Sequence, residues 1–262
     1  MTNTILPPPK THPDTEVDSL TGWMSHLVEL RERLVKSALA VLVVFLVLLY
    51  WRNDIFTMFS KPMIDSLPEG ARMISTEVTS NFFVPLKFVL WVSFVLALPV
   101  VLHQVWAFVA PGLYQHEKRL VIPIIASSYV LFLIGSAFAY LFVFPTVFKF
   151  MAALTPLGVE MATDIDNYLG FGLTMFLAFG LTFEVPVVVI VLVRLGIVTL
   201  PQLRSARPYV IVGAFIVAAV VTPPDVASQL LLAVPLVLLY EVGLFFARWV
   251  TPKEASTGLS VE

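Results

Sequence analysis

The sequence of 262 residues contains no cysteine. Disulfides and thiolate metal sites are therefore excluded. Charge is scarce as well. Asp, Glu, Lys and Arg make up 13% of the chain, about half of ordinary soluble usage, and the formal net charge is -2. So few charges cannot wet a globular surface, and the balance supplies no basic field for nucleic acid. Catalytic signatures are missing too. "HEKRL" (116–120) begins like a zinc-protease motif, but Leu120 stands where the second histidine is required. There is no G-x-S-x-G elbow, and His12, His26, His103 and His116 include no pair at ligand spacing. The expectation is a protein that is no enzyme and carries no cofactor.

What the chain does have is apolar surface: 58% hydrophobic residues and a mean hydropathy of +0.91. Six apolar spans are predicted, at about 34–51, 83–106, 120–147, 168–193, 209–221 and 226–247. The first four reach or approach the ~20 residues that cross a hydrocarbon core. The fifth, "YVIVGAFIVAAVV", is only about 20 Å long as a helix. "TPPD" (222–225) ends it and the sixth follows at once. The predicted class is an all-α polytopic membrane protein with six transmembrane helices and a short fifth/sixth hairpin. Residues 1–21 read as a disordered polar tail, 22–249 as the membrane domain and 250–262 as a second short tail. No small-residue cleavage site follows the first apolar run, so it is expected to stay as an anchor. Eleven of the sixteen Lys and Arg fall on the side of the two termini, which predicts both termini in the cytoplasm.

Smaller signals refine this picture. The two long outer loops, about 52–82 and 148–167, carry apolar residues at intervals and are expected to fold as caps. "TDID" (163–166) predicts a helix cap at Thr163. Pro99, Pro186 and Pro235 each fall inside a span. Three bent helices would make a concave wall, although prolines are also common in membrane helices for no such reason. Ala214 with Ala218, and Gly135 with Ala139, read as close-packing pairs.

Acidic residues are the candidates for function. "HLVELRERL" (26–34) sets Trp23, Leu27, Leu30 and Leu34 on one helical stripe and Glu29, Glu32, Arg33 and Lys36 on another. The pairs Glu29/Arg33 and Glu32/Lys36 are four apart, so an interfacial helix with internal ion pairs explains them as well as a binding site does. Glu117 lies beside Trp106, Phe108 and Tyr114, which read as an aromatic belt at the membrane interface. Such a shelf anchors a protein, or receives a peptide with a basic residue followed by oily ones. Glu184 lies within "GLTFEVPVVVIVLV", where a charge costs roughly 2.5–3.5 kcal/mol at the bilayer centre. Thr182, Thr222 and Gln229 are its candidate polar neighbours. The group either locks packing or serves function.

Longer segments carry a family resemblance. "HLVELRERL", "SFVLALPVVLHQVWAFVAPGLYQHEKR" (93–119), "FGLTFEVPV" (179–187), "RPYVIVGAFIVAAVVTPPDVASQ" (207–229) and "PLVLLYEVGLFFAR" (235–248) occur in family order. From about residue 22 to 249 the chain resembles the TatC family, the receptor subunits of the twin-arginine protein translocase. The resemblance implies a cupped six-span bundle in the bacterial inner membrane, acting as receptor and scaffold in a proton-driven export of folded proteins. It implies twin-arginine signal peptides, TatA- and TatB-type single-span subunits, the lipid bilayer and further copies of the chain as partners, and no nucleic acid. Glu29 and Glu117 match the acids that engage the arginine pair, and Arg31, Phe108 and Pro62 match further positions tied to signal binding or function. Glu184 matches the intramembrane acid, and Thr222 and Gln229 the site for the single-span partners. The rival reading is a proton-coupled secondary transporter using Glu184. It calls for a second mid-membrane ionisable group, for which only Glu241 offers itself, and for two similar halves, which the sequence lacks. An intramembrane protease would need paired Asp or Ser–His within the spans, and neither is present.

Overall fold

A computed structural model describes residues 14–65, 72–109, 118–153, 162–222 and 226–250. The chain is built from α1 (Asp14–Leu48), a 3-10 turn (Leu49–Trp51), α2 (Arg52–Asp65), β1 (Arg72–Ile74), α3 (Ser80–Val109), α4 (Lys118–Phe138), a π-helical turn (Ala139–Val143), α5 (Phe144–Ala153), β2 (Ala162–Asp164), α6 (Ile165–Arg194), α7 (Leu200–Ser205), α8 (Arg207–Val221) and α9 (Val226–Val250). Lipid offers no hydrogen bonds, so an apolar chain satisfies its backbone within each helix. Five stretches are long and apolar enough to cross a membrane: Leu27–Met58, Ser80–Val109, Val121–Phe150, Ile165–Arg194 and Ser228–Trp249. The sixth apolar helix, α8, has 15 residues and spans only about 22 Å.

The expected spans are present with longer ends. α1 starts at Asp14, inside the stretch read as a tail, and α6 starts at Ile165. Helices α3, α6 and α9 run through Pro99, Pro186 and Pro235, and α3 and α4 also absorb Pro85 and Pro123. The π turn lies just before Pro145, whose ring nitrogen cannot donate to residue 141. The short helix α7 opens on a capping box in which Thr199 and Gln202 satisfy each other's backbone.

The core lies between α4, α6, α8 and α9. It holds Ala139, Val143, Phe176, Phe179, Ala214, Ala218, Leu232 and Ala233. The small pairs on α4 and α8 do pack, as their spacing predicts. A Cβ on Gly180 would lie 2.4 Å from the Phe132 ring, and one on Gly135 would lie 2.5 Å from the Phe179 carbonyl oxygen. Only glycine lets α4 and α6 approach this closely.

α1 stands apart from this core. It packs on α3, and its half-buried residues Glu29, Leu30, Arg33, Ser37, Ala40, Val41 and Val44 recur at helical spacing. Leu27 and Leu34 are exposed instead. Each stripe read from the sequence is divided: Leu30, Glu29 and Arg33 lie on the seam, and Leu27, Leu34, Glu32 and Lys36 are exposed. In lipid an apolar side chain can face outward without cost, so hydropathy alone does not fix which side of α1 meets α3.

The two long loops are clasped at one end of the bundle. β1 and β2 pair in parallel, Arg72 opposite Ala162 and Ile74 opposite Asp164. The sequence gives no sign of this sheet. Asp164, not Thr163, caps α6, accepting from the backbone N–H of Asp166 and Asn167 at 2.9 and 3.2 Å. The correction follows from the pairing, which holds Thr163 extended opposite Met73, so the helix turns in one residue later. Thr76 donates to Asp164 through both its N–H and its hydroxyl, and Lys87 Nζ meets Asp166 at 2.6 Å. Hydrogen bonds from Thr76, first its side chain and then its backbone, with those from Asn167 and Asp166, hold the Asp164 carboxyl down at about 2.

Candidate functional site

The opposite end of the bundle, where α3, α6 and α9 finish and α4 and α8 begin, carries Glu29, Arg31 and Phe108 of the sequence-predicted residues. Glu29 sits on the α1 seam. Arg33 Nε donates to Glu29 Oε1 at 3.0 Å, and its Nη2 lies 2.5 Å from the same oxygen. Arg33 Nη1 also reaches Gln104 Oε1 on α3, at 3.5 Å. The Glu29 side chain is 44% exposed, so the pair is open to exchange. Lys36 and Glu32 approach only to 3.7 Å and are largely exposed. Arg31 is exposed and Phe108 half-buried at the end of α3. Beside Gln104 runs an apolar cavity of about 580 Å³ between α3 and α4, lined by Pro99, Val100, His103, Ile122, Ile125 and Tyr129. Glu117 and Tyr114 lie outside the described residues. Pro62 falls in α2, near the clasped end.

Trp106 departs from the expected aromatic belt. It is 6% exposed, packed with Val187 and Val191, and its Nε1–H donates to Ser128 Oγ at 3.2 Å. A buried indole needs an acceptor for its N–H, and the serine supplies it inside the bundle.

Glu184 is buried in α6 at 8% exposure, and neither carboxyl oxygen has a hydrogen-bond partner among the described residues. None of its expected companions serves it. Thr222 gives its hydroxyl to the Ala218 carbonyl at 2.7 Å, capping α8. Gln229 is in the first turn of α9. The parallel packing of α6 and α9 sets Gly243 against Pro186 and puts Leu232 and Phe176 in one cluster. That register leaves Gln229 about 18 Å from Glu184 along the helix axis. Glu184 and the Thr222/Gln229 pair are therefore two sites. No described side chain closes a hydrogen bond on Glu184, and the register of α4 against α6 puts Ser128 at its level. Sequence reasoning passed over Ser128, because a lone serine in a span carries no signal until its helix has a register. Glu241, the second ionisable group that a proton-coupled carrier would need, is tied to Arg207 Nη2 at 2.6 Å.

Among the described residues no group of His, Cys, Asp and Glu has the arrangement of a metal site. The described residues offer a carboxylate paired with a guanidinium on α1, an apolar groove between α3 and α4, and a buried acid in α6.

Comparison with known proteins agrees with this bundle. The family model for Sec-independent protein translocase protein (TatC) matches residues 25–235. A Sec-independent protein translocase protein TatC from Azotobacter chroococcum mcd 1 is 54% identical over 242 residues, covering 92% of this chain and 94% of that relative. The Escherichia coli (strain K12) protein of the same name is 52% identical over 237 residues, covering 90% and 92%. A crystal structure described as the twin arginine translocase receptor TatC superposes with a TM-score of 0.75 at 40% identity, over 87% of this chain and all of that one. The fold, the family model and the relatives coincide over nearly the same residues, and the chain is a multi-pass membrane protein of the TatC family of protein translocases.

Proposed function

We propose that this protein is the receptor and scaffold for twin-arginine signal peptides in a translocase that exports folded proteins. The observation that supports the reading is the Arg33–Glu29 pair on α1, which reaches Gln104 on α3, one residue from His103 in the lining of the apolar groove. A carboxylate that pairs with the protein's own arginine has the chemistry to pair with an arriving one. A signal peptide supplies the same group followed by an apolar stretch, which fits the trough along α3. Glu117 acts as the second carboxylate, with Arg31 and Phe108 bordering the site. The site end faces the cytoplasm with both termini, in agreement with the excess of Lys and Arg on that side.

Thr222 and Gln229 dock the single-span TatA- and TatB-type partners, and Glu184 meets polar groups deep in the wall. Pro62 shapes the cap at the outer end. Further copies of the chain join the complex, and the proton gradient supplies the energy. Photocrosslinking tests the receptor role. Glu117→Ala should abolish crosslinking to a twin-arginine peptide while the protein remains inserted, and undiminished crosslinking would refute the proposal. Replacing the peptide arginines with lysine should weaken binding, since lysine lacks the bidentate fork.

A further inference from the structure

Glu184 is a buried carboxyl with both oxygens unmet among the described residues. Buried polar groups in folded proteins nearly always have a partner, so the surroundings of this one are informative. The register between α4 and α6 identifies what faces it. Ser136 Oγ contacts the Phe176 carbonyl, and the Phe132 ring lies against Gly180. Each step of four down α4 matches a step of four up α6. The next step places Ser128 opposite Glu184.

Ser128 is fully buried, at 0% exposure. Its oxygen accepts from the Trp106 indole at 3.2 Å. An indole N–H can only donate, so the serine oxygen is the acceptor and its own O–H is left to give. Other helix hydroxyls in this bundle return their hydrogen to the preceding turn, Ser93 to the Val89 carbonyl at 2.6 Å and Thr222 to that of Ala218. Ser128 makes no such bond among the described residues. A buried donor with nothing to give to thus lies across from a buried acceptor with nothing to receive.

We propose that Ser128 is a positioning residue for Glu184: held by Trp106, it turns its hydroxyl to the carboxyl and sets where that carboxyl points. Trp106 lies two residues before Phe108, on the last turns of α3. The chain Trp106–Ser128–Glu184 therefore links the rim of the peptide site to the intramembrane acid. That meaning rests on the proposed receptor function, whereas the bond itself does not.

Infrared difference spectroscopy of the full chain in bilayers, without signal peptide, tests the bond. The Glu184 carboxyl band is the one lost in Glu184→Gln. Ser128→Ala should displace that band. Trp106→Phe, which keeps a buried ring but removes the donor, should displace it as well. A Glu184 band unmoved in Ser128→Ala overturns the proposal. If Ser128→Ala fails to insert, Trp106→Phe decides alone, and an unmoved band there overturns it equally. Loss of peptide crosslinking in Glu29 or Glu117 variants bears only on the receptor function, so the two failures are told apart.

Discussion

A single side chain, Arg33, ties the acid Glu29 on α1 to the neighbouring helix α3. It occupies Glu29 through two nitrogens and touches Gln104 across the α1–α3 seam. A pair four apart on a helix contributes about 0.2–0.5 kcal/mol. On the proposed receptor function, removing this one partner of Glu29 should let it bind an incoming arginine roughly twofold more tightly, since 1.4 kcal/mol is tenfold. Arg33→Gln should therefore about double the affinity for a twin-arginine peptide at low salt, read by titration of a labelled peptide, and the gain should shrink as salt is raised. A weaker affinity would show that Arg33 orients Glu29 rather than competing for it. The Glu29/Arg33 pair was legible from spacing alone, because four residues is one turn of any helix. The Trp106–Ser128 bond was not, because it joins two helices 22 residues apart and depends on their relative rotation.

At the scale of elements, close approach is what holds α4 against α6. Gly180→Val would push a branched side chain into the Phe132 ring, which a Cβ alone would already meet at 2.4 Å. Overpacking of this kind costs about 1–3 kcal/mol and should lower the unfolding temperature in detergent. Gly170→Ala on the same helix, with nothing within 4 Å, should not. The clasp between the two loops answers to acid. The folded-state value of Asp164 lies below its ordinary 3.8, at about 2. Its ionised form therefore supports the clasp fully above pH 3.8, and that support is lost as pH falls through about 2. Hydrogen exchange at the Thr76 and Asn167 amides should accelerate over this window, and Asp164→Ala should give the fast rates at neutral pH. The helices were legible because each apolar run is longer than any strand. The β1–β2 pair escaped notice because three residues carry no period and Thr76 finds Asp164 across 88 residues of chain.

Over the whole molecule, the bundle is a core with an outrigger. The core of α4, α6, α8 and α9 is closed by glycine, alanine and aromatic packing, whereas no described side chain of the α1 helix is fully buried. Nitroxides scanned along α1 should report high oxygen accessibility at Leu39, Leu42, Val43 and Leu46 and low accessibility at Ala40, Val41 and Val44. An even profile around the helix would deny the single seam. The absence of native cysteine makes such a scan free of background labelling. The membrane class followed from composition, but the standing of each helix in the bundle did not, because hydropathy reads the same toward lipid and toward protein. A helix fastened along one edge leaves most of its circumference to acyl chains. Outward substitutions along α1 should therefore alter its fit to acyl chains while leaving the described packing of the other helices intact.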